Sequence, residues 1–154
     1  AMCHSLVGSE MCIRDSMSTT TTFSNDVSRI LDKYETLTAD LTLTGADSGK
    51  TYLISGTGYT VTLPAPSAGL KFKFVVSAAF STDTVVQTPS DNRDILNGGV
   101  IVNGAIVEAD AVDKVTFEDG AESIGDFVEV SSDGTNYFLF GNGNASGALT
   151  VGEI

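Results

Sequence analysis

From residue 70 to residue 76 the chain reads Leu-Lys-Phe-Lys-Phe-Val-Val, placing Leu70, Phe72 and Phe74 on one side of an alternation and Lys71 and Lys73 on the other. A period of two belongs to extended chain, because successive side chains of a strand point to opposite faces. The same texture runs from Leu37 onward, as short β-branched runs separated by Gly, Asp, Asn or Pro at intervals of roughly 8 to 12 residues. Residues 41–43, 51–55, 59–63, 84–88, 114–117, 127–130 and 137–140 are the other predicted strands. With 154 residues the chain has the length of one domain with a core of its own. The predicted fold is all-β, a single-domain antiparallel β-sandwich or jelly roll preceded by a short N-terminal helix or arm.

Two hairpins are written into the sequence. Val100-Ile101-Val102 and Ala105-Ile106-Val107 flank Asn103-Gly104, the strongest short signal for a two-residue primed turn. The second spans residues 127–140, turning at Ser132-Asp133-Gly134-Thr135-Asn136. No long period recurs, so a single compact unit is expected in place of a solenoid. The stretch 141–147 (GNGNASG) is flexible in composition and leads to Ala148-Leu149-Thr150-Val151, a final strand able to complete its own sheet or a neighbour's.

The start of the chain differs in texture. Residues 1–16 hold both cysteines, Cys3 and Cys12, and the single histidine, His4. They lack the charged and apolar regions of a secretory signal. Residues 6–16 (LVGSEMCIRDS) resemble the translation of a sequencing-library adaptor, which implies a metagenomic origin and a native start at Met17. Val27, Ile30, Leu31 and Tyr34 then recur at helical spacing behind Ser24 and Asn25, predicting a short amphipathic helix. The expected organisation is therefore a non-native leader over 1–16, an arm or short helix over 17–36, and a β-sandwich with a C-terminal strand over 37–154.

This distribution removes several chemistries. Residues 17–154 contain no Cys, His or Trp, so they offer no imidazole base, no thiolate nucleophile and no Cys/His zinc site. Eight Lys and Arg against 20 Asp and Glu leave a formal charge of −12, which repels polyphosphate and argues against nucleic acid. No apolar run approaches the roughly 18 residues of a membrane helix, so no membrane partner is expected.

The remaining candidates are weak. Glu108, Asp110, Asp113, Glu118, Asp119, Glu122, Asp126, Glu129 and Asp133 face only Lys114 between residues 108 and 133, a composition calcium favours. No EF-hand spacing orders them, and a solvated acidic face is preferred. A paired-carboxylate glycosidase site is set aside for lack of a cleft signature. Were a carboxylate enzyme or calcium-dependent lectin hidden here, Asp110, Asp113 and Glu118 would be its test residues. Gly56-Thr57-Gly58 and Gly141-Asn142-Gly143 do not continue as phosphate loops and read as turns. Tyr52, Tyr59 and Tyr137 are available to stack sugars, but lie in strand patterns where core packing serves equally. No catalytic, cofactor-binding or metal-binding residue is assigned, no cofactor is expected, and the chain is read as a non-enzyme.

Residues 37–53 (LTADLTLTGADSGKTYL), 60–74 (TVTLPAPSAGLKFKF) and 123–137 (SIGDFVEVSSDGTNY) together resemble small phage virion structural proteins that serve as capsid decoration proteins or as head- and tail-fibre domains. The resemblance covers about residues 36 to 151 and its motifs are structural. In such proteins Trp-Tyr commonly follows the SDGTN turn, whereas Tyr137-Phe138 stands here, keeping an aromatic pair without the indole donor. The resemblance implies a β-sandwich or jelly-roll subunit assembled as a homotrimer on the outer surface of the phage head. Its expected partner is the major capsid protein or another virion component.

Overall fold

A computed structural model describes residues 33–154, so the predicted leader over 1–16 and nearly all of the predicted arm lie outside the described residues. Twelve strands follow in order: β1 (Lys33–Thr36), β2 (Leu41–Thr42), β3 (Lys50–Gly56), β4 (Thr60–Thr62), β5 (Lys71–Phe80), β6 (Thr84–Gln87), β7 (Leu96–Val102), β8 (Ala105–Val112), β9 (Lys114–Phe117), β10 (Phe127–Ser132), β11 (Tyr137–Gly143) and β12 (Leu149–Gly152). Tyr34, where the predicted helix ends, is in β1 and is extended. Every strand predicted from residue 41 onward is present, and β5 shows the expected alternation, with Phe72, Phe74 and Val76 buried between more exposed neighbours.

The strands form a seven-stranded sheet, β1-β3-β5-β10-β11-β7-β8, and a five-stranded sheet, β12-β9-β6-β4-β2. Side chains from both sheets share one apolar core. Tyr52, Phe72, Phe74, Val128, Val130, Leu139 and Val100 come from the larger sheet, and Val61, Val86, Val115, Phe117 and Leu149 from the smaller. Tyr52 and Phe74 stack at 5.6 Å between ring centroids, inclined by 19°.

The expectation of antiparallel sheets is corrected: both sheets are mixed. β1 runs parallel to β3, β3 to β5, β2 to β4, β4 to β6, and β11 to β7. The cause is the path of the chain. From β1 to β6 successive strands alternate between the two sheets, so each return to a sheet lays a strand beside its predecessor in the same direction, the other sheet supplying the crossover that parallel pairing requires. This first half is a short parallel coil within one compact unit. An all-antiparallel jelly roll does not describe it. Lys33 aligns with Lys50, 17 positions on, and Thr51 with Lys73, 22 positions on, so the rungs are too unequal to register as a sequence repeat.

The second half is built from hairpins. β7 and β8 pair across Asn103 and Gly104, whose φ values of 48° and 80° make the primed turn their sequence specifies. β10 and β11 pair from Ser132 opposite Tyr137, and the Asp133 carboxylate accepts from the Thr135 and Asn136 amides at 2.8 Å each. Those two bonds hold Asp133 below the usual carboxylate range. β12 lies antiparallel to β9 of its own chain. The stretch read as flexible is in part strand, since β11 extends to Gly143.

Candidate functional surface

The outer side of the seven-stranded sheet is the chemically distinctive surface of the described residues. Cross-strand register defines its rows. One row runs Leu53, Val75, Phe127, Asn142, Ile101, Ile106 across β3, β5, β10, β11, β7 and β8. The next runs Thr51, Lys73, Glu129, Phe140, Gly99, Glu108 across the same strands. A third runs Lys71, Ser131, Phe138, Asn97 across β5, β10, β11 and β7, with Asp110 beyond Asn97 at the bulge where β8 shifts register.

Contacts between neighbouring rows confirm that these side chains share a face. Phe127 and Phe140 meet at 5.9 Å between centroids, the Lys73 ammonium lies 5.1 Å from the Phe127 ring centroid, and Lys71 pairs with Glu129 at 3.0 Å. Phe138 is 45% exposed, Phe140 55% and Ile106 80%. A well-packed β-sheet face that presents several large apolar groups together, bounded by charge, has the character of an association surface.

The nearest approach to a carboxylate site lies elsewhere. Asp94, Asp113 and Glu153 bring carboxylate oxygens within 4.8 Å of one another. Asp113 is almost fully buried between β8 and β9, and its two oxygens are taken: Oδ2 accepts from the Arg93 guanidinium at 2.7 Å and from the Ile154 amide at 3.4 Å, while Oδ1 accepts from the Asp94 amide at 2.8 Å. Burial pushes Asp113 up, but the Asp94 amide, Arg93 and the Ile154 amide outweigh it and hold it below the usual carboxylate range. Glu153 is shifted the other way, by loss of hydration and by the negative charges of Asp113 and Asp94. Arg93 already supplies the cation this corner needs, so it works as a clamp tying the loop before β7 to the segment after β12.

The other predicted acidic residues do not converge. Asp110 is on the outer sheet face, whereas Glu118 accepts from the Thr150 hydroxyl. Asp126 is fully buried, its Oδ1 accepting from the Asn144 amide at 2.9 Å and from Asn144 Nδ2 at 2.6 Å, its Oδ2 from the Ser123 amide at 2.8 Å. Of the tyrosines weighed between sugar stacking and packing, Tyr52 and Tyr137 are fully buried, Tyr137 donating to the Pro64 carbonyl at 2.9 Å, and Tyr59 packs half-buried against the core. Gly56 and Gly141 fall within β3 and β11, so neither stretch forms a phosphate loop. A hollow of roughly 90 Å³ at residues 35–41, in the corner between β1 and β2, is well below the volume that encloses an organic ligand. No helix among the described residues is long and apolar enough to cross a membrane.

No protein-family model matches this chain, and no curated protein matches it. The outward-facing Phe138, Phe140, Ile101 and Ile106 were not singled out as functional by sequence reasoning. In residues 137–140 (YFLF) all four side chains are apolar, so alternation alone does not tell which pair faces the core.

Proposed function

We propose that the chain is a non-enzymatic phage structural protein, a capsid decoration subunit that binds the outside of the virion head as a homotrimer. The observation that supports this best is the apolar face of the seven-stranded sheet, carried on a body whose buried carboxylates Asp113 and Asp126 are each engaged by backbone and side-chain donors. Such a molecule is equipped to act by association. Neither nucleic acid nor a membrane is a partner in this reading, and its acidity keeps a crowded outer layer dispersed and free of released genome.

The test is cosedimentation with empty capsid shells assembled from the major capsid protein of the phage that carries this gene. Saturable binding in hundreds of copies per shell is expected, in threes; shells that pellet without the protein overturn the reading. A second reading, a head- or tail-fibre domain that binds receptor or glycan, draws on exposed Phe138 and Phe140, whose rings could stack sugars. It predicts few copies per particle and binding to host cells or glycans in place of shells.

A further inference from the structure

We infer that the outer face of the seven-stranded sheet is a self-complementary surface whose occupant is a second copy of this chain, joined across a two-fold axis that runs along β11. The inference rests on the reading above only in that the chain acts by association. It gives the sheet face to this contact and leaves any shell or three-fold contact to other surfaces.

The argument starts from strand order. Of the five strands β5-β10-β11-β7-β8, β11 is central, with two strands on either side. Turning a copy by a half-turn about an axis lying along β11 sets its β5 over β8 and its β10 over β7, each residue meeting its counterpart in the same row. In the row of Phe140, Lys73 of one copy then faces Glu108 of the other, Phe140 faces Phe140, and Glu129 faces Gly99, which has no side chain to obstruct it. In the neighbouring row Val75 faces Ile106, Phe127 faces Ile101 and Asn142 faces Asn142. In the third row Phe138 faces Phe138, and Lys71 faces the bulge that carries Asp110. Apolar groups meet apolar groups, and both lysines of one half meet the carboxylates of the other.

The alternative two-fold axis, running across the strands through Phe140, sets Lys73 on Lys73, Glu129 on Glu129 and Glu108 on Glu108. Like charges in register repel, so charge selects the first orientation. Lys73 has no carboxylate partner among the described residues, so its charge is available to the second copy. Five strands spaced by about 4.8 Å and some seven residues long present roughly 500 Å² per partner, the small end of specific interfaces, so a concentration-dependent equilibrium is expected.

The test is molar mass by light scattering and sedimentation equilibrium on the full chain, from roughly 1 μM to 1 mM. An even-numbered mass is expected, two copies, or six where three-fold contacts also form. Lys73→Glu and Glu108→Lys are each expected to halve that mass, and the double variant Lys73→Glu/Glu108→Lys to restore it. Within one chain these residues stand four strands, about 19 Å, apart, so restoration reports a contact between copies. Circular dichroism of each variant shows whether it remains folded, and both sites are on the surface. A monomer throughout, a strict trimer, or a mass unmoved by the charge reversals would overturn the two-fold contact. Capsid binding is read separately by cosedimentation, so loss of one result leaves the other standing.

Discussion

The parallel coil of β1–β6 and the hairpin half of β7–β12 are held together by different means. In the coil, strands alternate between the two sheets and are secured by core contacts such as the Tyr52–Phe74 stack, with a surface network of Glu35, Lys50 and Asp47 outside. In the hairpin half, buried carboxylates pin the corners, Asp126 holding the segment after β11 and Asp113 holding the loop before β7. Both halves supply apolar side chains to the core, but the two buried carboxylates are both in the hairpin half, where a donor left unpaired costs far more than a typical net hydrogen bond returns.

The sharpest way to break this contrast is at Asp126. Asp126→Ala strands the amides of Ser123 and Asn144 in a buried corner, and a loss of about 3 to 5 kcal/mol in urea unfolding is expected. Gly98→Ala comes next, at about 2 to 4 kcal/mol: the new Cβ would lie 2.3 Å from the Leu139 carbonyl oxygen, at a φ of +127° that L side chains rarely adopt. Both sites are in the hairpin half, but only Asp126 tests the buried carboxylates: a loss under about 1 kcal/mol for Asp126→Ala would make the contrast wrong.

Arg93→Ala is expected to cost about 1 to 3 kcal/mol near neutral pH, discounted because the arginine is partly exposed. Asp113 lies below its ordinary range when folded, so its contribution is present above the unfolded carboxylate pKa and is lost as pH falls through the folded value. The gap between wild type and Arg93→Ala should therefore close in acid, as followed by denaturant midpoints from neutral pH downward. At the alkaline end Tyr52 and Tyr137 are each pushed up to about 12 by burial. Their folded values exceed the unfolded value of about 10, so stability is retained below pH 10 and declines as pH rises toward 12. Tyr137→Phe should cost only about 1 kcal/mol at neutral pH, through the bond to Pro64, and should make the alkaline decline shallower.

Much of the hairpin half was readable in advance because its signals are local. Asn103-Gly104 and the Asp133 turn specify their own geometry within four or five residues, and Leu149 to Val151 form the expected last strand. The coil was readable strand by strand but not as a coil. The alternation of Leu70, Phe72 and Phe74 says that a segment is extended and which side is buried, and nothing of a neighbour's direction. The clamps escaped for a related reason: Asp113 meets Arg93 from 20 residues away and Asp126 meets Asn144 from 18, distances at which sequence spacing has no pattern. The exposed apolar face was hidden by its own composition, since Phe138 and Phe140 are as apolar as the buried Leu139 between them.

In both sheets the strands of the hairpin half pair with the coil through its last turn alone, β10 with β5 and β9 with β6. The strands of the two earlier turns, β1 with β2 and β3 with β4, pair only with strands of the coil. A lineage carrying this architecture can therefore lengthen or shorten its body by whole windings at that end, as one adds links to a chain, while leaving the clasp undisturbed.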